Sequence, residues 1–226
     1  MSKLLDIVSL TKRYHNGTEE VAALSRVSLS IDEGDYLAIV GPSGAGKSTL
    51  LHIMGGLDTP TEGQVLFESG DIYRMSDTQR AHWRNKTIGF VFQFYHLIEE
   101  LSVEENILLT ASFVARKTSF KKLQELLKYL NMAPRKNFFP SQLSGGEKQK
   151  VAIARALINE PRMVFCDEPT GNLDKDSQDK VVGLLEELNR EKKKTIVLVT
   201  HNLELAKRAK RTVFIRSGEV IKNASN

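Results

Sequence analysis

The sequence has little of several features that mark specialised classes of protein. It contains one cysteine, Cys166, among 226 residues, so no disulfide can form within the chain, which is typical of a reducing compartment. Its longest apolar runs, such as residues 151–158, fall far short of the roughly 18 residues that a membrane-spanning helix needs. The N-terminus lacks an apolar stretch of about 7 to 15 residues before a cleavage site. We therefore expect no secretory signal and a cytosolic protein.

Composition and charge exclude further classes. Hydrophobic residues make up 41% of the chain and charged residues 27%, which is typical of a globular protein and excludes disorder, collagen and coiled coil. The length corresponds to one large domain or to one domain with a subdomain. The net charge of +4 is a weak signal for nucleic acid, because the basic clusters at residues 121–122 and 192–194 lie beside acidic residues and are interpreted as solvated helix faces. We expect no nucleic-acid partner.

Several segments have strand patterns. Two of them alternate apolar and polar residues, at least in part, which predicts antiparallel strands with one wet face: residues 4–10 and 27–31. Three short apolar runs rich in β-branched residues predict parallel strands buried on both faces: residues 36–40, 163–166 and 195–199. At the end of the chain, residues 212–221 predict a closing hairpin.

The middle of the chain has a helical pattern. Ser102 and Glu105 have the spacing of a capping box, in which two side chains satisfy backbone donors at a helix start. Five apolar residues follow on one stripe with helical period: Phe120, Leu123, Leu126, Leu127 and Leu130. We therefore predict a helical subdomain, about residues 95–160, inserted in an α/β core. No repeat or low-complexity linker divides residues 1–226, so we expect one folding unit.

Residues 41–48 match the phosphate-binding loop pattern G-x-x-x-x-G-K-S. The motif lies between a predicted buried strand and a predicted helix, which is the context it requires. Its glycines let backbone N–H groups point inward around a polyphosphate, and the helix directs its positive end at it. Lys47 is expected to neutralise the β and γ oxygens, and Ser48 to reach Mg²⁺. The predicted nucleotide-binding residues here are Gly41, Pro42, Ser43, Gly44, Ala45, Gly46, Lys47, Ser48 and Thr49.

Two carboxylates, Asp167 and Glu168, follow the apolar run at residues 163–166. This places them at the carboxyl end of a parallel strand, where such sheets bind ligands. We expect Asp167 to hold Mg²⁺ through a water, and Glu168 to orient or deprotonate the attacking water. On its own, Asp-Glu-Pro after a strand more often begins a helix or turn. The loop at residues 41–48 favours the catalytic interpretation.

A second glycine-containing segment, Leu-Ser-Gly-Gly-Glu at residues 143–147, precedes an alanine-rich helical pattern. Ser144 and Glu147 again have capping-box spacing, so a well-capped helix start is one interpretation. It does not explain Gly145 and Gly146, because adjacent glycines weaken a helix start unless something must approach the backbone closely. A second polyphosphate contact would supply that reason.

These three motifs, in this order, resemble the nucleotide-binding subunit of an ABC transporter, and the resemblance covers essentially the whole chain. It implies a P-loop NTPase core with a mixed sheet, an N-terminal antiparallel β-subdomain and an inserted helical subdomain. ATP and Mg²⁺ are the implied ligands. The resemblance makes Tyr14 the aromatic that stacks on adenine, although a hairpin packing residue is an equally good explanation of a lone tyrosine.

The resemblance also implies three further functional positions. Gln93 corresponds to the glutamine that senses Mg²⁺ and the transmembrane partner, and His201 to the histidine that contacts the γ-phosphate. Residues 171–174 correspond to a loop that touches the opposite subunit. The catalytic candidates are then Glu168, His201 and Gln93, and the metal candidates are Ser48, Gln93 and Asp167.

The family architecture implies an assembly. In a head-to-tail homodimer, Ser144, Gly145 and Gly146 of one copy close over the ATP held by Lys47 of the other. Two transmembrane permease subunits complete the complex. The chain is then expected on the cytoplasmic side of the inner membrane as a peripheral protein that contacts the membrane through its partners only.

Local resemblance narrows the choice within the family. Three segments resemble the branch that contains lipoprotein-releasing ATPases, macrolide exporters and a cell-division ATPase: residues 51–61, 83–97 and 167–174. The match is closest to the lipoprotein-releasing type, which implies release of lipoproteins from the inner membrane toward the outer membrane. A macrolide or peptide exporter and a division ATPase are the alternatives. Lys148, Lys150 and the pair Ile98-Glu99 depart from the usual pattern of that branch.

Other classes of protein fit less well. A phosphate-loop GTPase would need a guanine-reading Asn-Lys-x-Asp, and residues 85–88 lack the Asp. A nucleotide kinase would not need residues 143–147. A DNA-repair ATPase with the same signature normally carries a long coiled-coil insertion, whereas about 50 residues separate Gln93 from the signature here.

Large apolar side chains directly follow Gln93. We predict that Phe94, Tyr95 and Leu97, with Leu101 nearby, form a docking patch for a membrane subunit. The alternative is that they pack the core beneath the helical subdomain.

Overall fold

The computed structural model describes residues 3–17, 19–111 and 120–225. The strands are β1 (Lys3–Asn16), β2 (Glu19–Asp32), β3 (Tyr36–Val40), β4 (Glu62–Phe67), β5 (Gly70–Asp71), β6 (Ile88–Phe92), β7 (Met163–Asp167), β8 (Thr195–Thr200), β9 (Arg211–Arg216) and β10 (Glu219–Ser225). The helices are α1 (Lys47–Met54), α2 (Asp77–Thr87), α3 (Val103–Leu109), α4 (Phe120–Tyr129), α5 (Gly145–Leu157), α6 (Lys175–Arg190) and α7 (Leu203–Ala206).

The strands form two sheets. One is antiparallel, in the order β2-β1-β4-β5. The other has the order β10-β9-β3-β8-β7-β6, in which only the β10-β9 pair is antiparallel. The predicted N-terminal antiparallel strands, parallel core strands and closing hairpin are all confirmed.

The central strands are buried on both faces, as their continuous apolar sequences predict. In β3, Leu37 and Ile39 face a cluster that contains α1 and the first sheet, whereas Ala38 and Val40 face a second cluster that contains α6. Successive side chains of a strand point to opposite faces, so an apolar residue at every position fills both layers. This sandwich fixes the carboxyl ends of β3, β8, β7 and β6 along one edge.

The helices between β6 and β7 share a third apolar cluster. Leu123, Leu127 and Leu130 are buried there together with residues of α3 and α5. Phe120 is 66% exposed, so the prediction that it belongs to this stripe is wrong. Phe120 is the first residue of α4, so it lies at the end of the stripe, where a helix need not be covered. The bounds of the subdomain, near residues 95 and 160, stay a prediction.

Within the described ranges, no helix combines the length and the apolar character that a membrane span requires.

Candidate active site

The phosphate-binding loop connects β3 to α1, and its shape depends on glycine. Gly46 precedes α1 with a φ of +97°, a left-handed conformation that residues other than glycine rarely adopt. A Cβ there would also lie 2.3 Å from the carbonyl oxygen of Ala23. Lys47 is only 7% exposed, and its ammonium donates to the carbonyl oxygens of Gly41 at 2.9 Å and Pro42 at 3.0 Å. The loop thus holds a buried positive charge against its own backbone.

Ser48 and Asp167 meet as predicted, although 119 residues separate them. The Ser48 hydroxyl donates to Oδ1 of Asp167 at 2.9 Å. Burial raises the pKa of Asp167, while the bond from Ser48 and the charges of His52 and Lys47 oppose this shift. His52 Nε2 lies 3.7 Å from Asp167 Oδ2. The carboxylate therefore lies beside the start of α1, within the field of the loop lysine.

Glu168 follows β7 with a φ of +46°, and its backbone N–H donates to the carbonyl of Val199 at 2.9 Å. Its carboxylate lies 2.8 Å from Nδ1 of His201 and accepts from the Thr200 hydroxyl at 3.2 Å. Because an ionised carboxylate can only accept, His201 Nδ1 carries the proton when Glu168 is charged. The adjacent ends of β7 and β8 thus bring two of the three predicted catalytic residues into contact.

Gln93, just past β6, is tied to the loop that follows Glu168. Its side-chain amide donates to Oδ1 of Asn172 at 3.3 Å, and the Asn172 amide donates to the carbonyl of Gln93 at 3.1 Å. Asp174 caps α6 by accepting from the N–H of Ser177 at 2.9 Å. Two features that the resemblance gave separately, Gln93 and residues 171–174, are therefore one connected structure.

Tyr14 lies on the β1–β2 hairpin and is 41% exposed. Its hydroxyl donates to Oδ2 of Asp58 at 2.7 Å, and burial and Asp58 raise the pKa of this hydroxyl. Asp58 lies just beyond α1, the helix that follows the phosphate-binding loop. The role of this ring toward adenine stays a prediction.

The Ser144 segment begins α5 with the predicted capping box. Ser144 N–H donates to Glu147 at 2.9 Å, and Glu147 N–H donates to the Ser144 hydroxyl at 3.2 Å. The bond from the Ser144 backbone is the main reason why the pKa of Glu147 is lowered. The serine and glutamate thus satisfy the start of their own helix.

The two glycines that follow have a reason within the chain. A Cβ on Gly145 would lie 3.1 Å from the Tyr95 hydroxyl, and one on Gly146 would lie 2.9 Å from the Ser177 hydroxyl. Neighbouring side chains therefore supply a reason within the chain for small residues at these two positions. A polyphosphate contact at residues 144–146 stays a prediction.

Sequence reasoning missed one residue of this region, Arg155. Its guanidinium donates to the carbonyl of Tyr95 at 2.5 Å and to that of His96. Tyr95 and His96 have φ values of +61° and +48°. The pKa of Arg155 is lowered by burial. The signal in the sequence was a lone arginine within the apolar stretch 151–158. A charged residue in such a stretch indicates a specific partner.

The donor set fits a magnesium ion. Mg²⁺ is bound in phosphate-binding enzymes through one or two protein oxygens, with substrate phosphates and waters completing the shell. The Ser48 hydroxyl and the Asp167 carboxylate are hard oxygen donors in contact with each other. Across the described ranges, no group of three or more His, Cys, Asp or Glu side chains could hold a metal ion. A site completed by a nucleotide is thus the kind that these residues can form.

Comparison with known proteins identifies similar chains along almost the full length. A model of the ABC transporter family matches residues 24–171. The lipoprotein-releasing system ATP-binding protein LolD of Geobacter metallireducens is 46% identical over 223 residues, which cover 98% of this chain and 99% of that protein. The protein of the same name from Colwellia psychrerythraea is 44% identical over 222 residues, with coverage of 97% and 86%.

Solved structures agree in fold. A dimeric post-hydrolysis state of the ATP-binding cassette MJ0796, bound to ADP and Pi, matches with a TM-score of 0.91, 39% identity and 98% coverage of both chains. CbiO1 from Clostridium perfringens, part of the ABC transporter complex cbiONQ, matches with a TM-score of 0.87 and 28% identity, covering 100% of this chain and 89% of that one. The predicted α/β class, with a mixed sheet and an antiparallel β-subdomain, is confirmed.

Proposed function

Since the chain belongs to the ABC transporter family and is an ATP-hydrolysing subunit of that family, we propose that it drives the release of lipoproteins from the inner membrane toward the outer membrane. The observation that carries this proposal is identity of 46% and 44%, over nearly full length, to two proteins named for lipoprotein release. Those relatives do not favour the alternatives of a macrolide or peptide exporter or a cell-division ATPase.

The chemistry is assigned to four residues, which we call the phosphate half-site: Lys47, Ser48, Asp167 and Glu168. The Lys47 ammonium, held by two carbonyls without a carboxylate partner in the described part of the chain, would turn to the β and γ oxygens of ATP. Glu168 is the base, because its carboxylate is already oriented by His201 and Thr200 at the end of β7. Bound through Ser48 and Asp167, Mg²⁺ would neutralise phosphate charge.

A second set of residues, which we call the signature half-site, comprises Ser144, Gly145 and Gly146. We assign it to the ATP held by another copy, in a head-to-tail homodimer with two composite sites. Two observations support this assignment: Ser144, at the start of α5, is exposed, and the matched cassette is dimeric with ADP and Pi. Helix starts favour anions, so Ser144 and the adjacent N–H groups suit a γ-phosphate.

Mixing two inactive variants tests the composite sites. In a dimer of one Lys47→Ala copy and one Ser144→Arg copy, one site carries both defects and the other carries none. A mixed dimer should therefore regain up to about half of the parent ATPase activity, and an equal mixture, in which about half of the dimers are mixed, up to about a quarter. Each variant alone stays inactive. If both half-sites served the same copy, every site in the mixture would be defective and no activity would return.

The permease subunits are proposed to dock beside Gln93. A cavity of about 670 Å³ opens there, lined by α2, β6, His96, Arg155 and Asn159. Phe94 is 68% exposed at this edge. Tyr95 and Leu97, in contrast, pack partly against the second and third apolar clusters, and Leu101 is half-buried. Of the predicted docking patch we therefore keep Phe94, and we add its exposed neighbour Ile98.

Two substitutions separate docking from core packing. Phe94→Ala should leave the melting temperature nearly unchanged and weaken co-purification with permeases of the LolC and LolE kind. Leu97→Asp should lower the melting temperature, because it places a charge against an apolar cluster. Unchanged co-purification of Phe94→Ala would argue against this docking surface.

Depletion of the chain in its native host tests the cargo. Outer-membrane lipoproteins should then accumulate in the inner membrane after fractionation, while the membrane permeases remain present. Normal lipoprotein sorting, with failed drug efflux or failed septation instead, would transfer the assignment to the exporter or division branch. A second fractionation checks the peripheral location at the cytoplasmic side of the inner membrane. In cells that lack the permeases, the chain should no longer be found with the inner membrane.

A further inference from the structure

Asp58 lies beyond the end of α1, and two side chains of β1 share its carboxylate. Lys12 donates to Oδ1 at 2.7 Å, and the Tyr14 hydroxyl donates to Oδ2 at 2.7 Å. Residues two apart on a strand point to the same side, so one carboxylate can meet both. Both oxygens of Asp58 are therefore engaged by residues more than 40 positions away in the sequence.

Asp58 is itself held in place. Its carbonyl oxygen lies 2.5 Å from the Tyr73 hydroxyl, and Lys12 also donates to the carbonyl of the next residue, Thr59, at 2.7 Å. The side chains of Lys12 and Asp58 are 12% and 30% exposed, so water and salt screen this ion pair less than one on an open surface. The pair is thus a fixed anchor between the end of α1 and the hairpin.

The ring of Tyr14 is attached to that anchor at two points. Asp58 fixes its hydroxyl, and the Lys12 ammonium lies 4.7 Å from the ring centroid, where a cation is attracted to the π face. The residue nevertheless remains 41% exposed. An aromatic ring with one end tied and much of its surface open is a preformed platform for stacking.

We propose that Asp58 and Lys12 are positioning residues for Tyr14, and that they set the affinity of the site for the nucleotide base without altering its affinity for phosphate. This rests on the proposed stacking of adenine on Tyr14. A ring that is already oriented loses less conformational freedom when a base stacks on it. The phosphates are instead assigned to the glycine-rich loop and Lys47, which form no hydrogen bond or ion pair with Asp58 or Lys12 in the described part of the chain.

The test measures ATPase kinetics with ADP and inorganic tripolyphosphate as competing inhibitors. Tripolyphosphate has the phosphates without the base. For Asp58→Ala and Lys12→Met, the KM for ATP and the inhibition constant of ADP should rise about fivefold, as expected for the ordering of one side chain. The kcat and the inhibition constant of tripolyphosphate should stay within about twofold of the parent. Tyr14→Phe keeps the ring and loses the bond to Asp58, so its KM for ATP and its inhibition constant for ADP should rise by a smaller factor.

Asp6→Ala is the matched control, since Asp6 pairs with Lys3 of the same strand at 2.9 Å and should change none of these constants. Equal weakening of ADP and tripolyphosphate in Asp58→Ala would mean that the turn only supports the phosphate loop, and it would overturn the proposal. So would an unchanged constant for ADP. If Tyr14→Ala weakens ADP binding and Asp58→Ala does not, the positioning role alone is refuted. If Tyr14→Ala does not weaken ADP binding, the adenine contact is refuted as well.

Discussion

The phosphate half-site and the signature half-site both lie at a glycine-containing helix start, yet they use their polar groups differently. In the first, Ser48 contacts Asp167 and Glu168 contacts His201, so side chains from α1, β7 and β8 converge. In the second, Ser144 and Glu147 satisfy each other within one helix. We propose that the first region is a reaction centre assembled by the fold, and that the second is a surface that gains chemistry only when another molecule meets it.

The largest effect is expected when the proposed general base of the phosphate half-site is replaced. Glu168→Gln keeps the shape of the side chain but cannot take a proton from water, so kcat should fall by about 1000-fold while ATP still binds. A dimer should then accumulate with ATP, and size-exclusion chromatography would detect it. Intact turnover from a variant that stays monomeric would assign the base to another residue.

Removal of the loop cation should have the next largest effect. Lys47→Ala deletes the buried ammonium, and ATPase activity should fall by at least about 100-fold, which is typical of losing one preorganised donor to a developing charge. Lys128→Ala, an exposed lysine of α4, is the control and should keep full activity. Undiminished turnover by a clean Lys47→Ala preparation would refute the assignment of this loop.

A pair of matched serines sharpens the comparison between the half-sites. Ser102→Ala and Ser144→Ala each remove a capping-box serine, so each should lower the melting temperature by about 2 to 4 °C. Only Ser144→Ala should also lower ATPase activity, by about tenfold, because only that cap meets a second ATP. Equal activity of the two variants would reduce the signature segment to a structural helix start.

The smallest effect concerns the support of the signature glycines by α6. Asp174 accepts from Ser177, whose hydroxyl lies against the position of Gly146, and the bond from the Ser177 backbone lowers the pKa of Asp174. A carboxyl whose pKa is lower in the folded state stabilises the protein above its unfolded pKa of about 3.9, and this contribution is lost as the pH falls.

Asp174→Ala should therefore melt about 2 to 4 °C below the parent at pH 7. The gap should close as the pH drops below about 4. Thermal melts of both proteins at pH 7, 5 and 3.5 would measure this. A gap that is constant with pH would mean that the charge of Asp174 does not contribute to the cap.

Local pattern predicted much of the site. The loop between β3 and α1, the carboxylates at the carboxyl end of β7 and the two capping boxes lie where the sequence predicted them, because each depends on neighbours within a few residues. Phe120 failed because a periodic stripe does not say where a helix stops packing. The side chains that approach the glycines at 145–146 were not predicted, because they are distant in the sequence.

The sequence by itself predicted the buried strands β3, β7 and β8, a loop whose pattern is typical of phosphate binding, and the carboxylates at the end of β7, since periodicity, glycine and capping act locally. Only the tertiary structure decided that Gln93 bonds to Asn172 across 79 residues, that Arg155 holds Tyr95 across 60, and that Asp58 anchors Tyr14. Those contacts follow from the strand order β3-β8-β7-β6 and from the packing of two sheets around α1. A buried polar group must find its partner in that arrangement, wherever along the chain the partner lies.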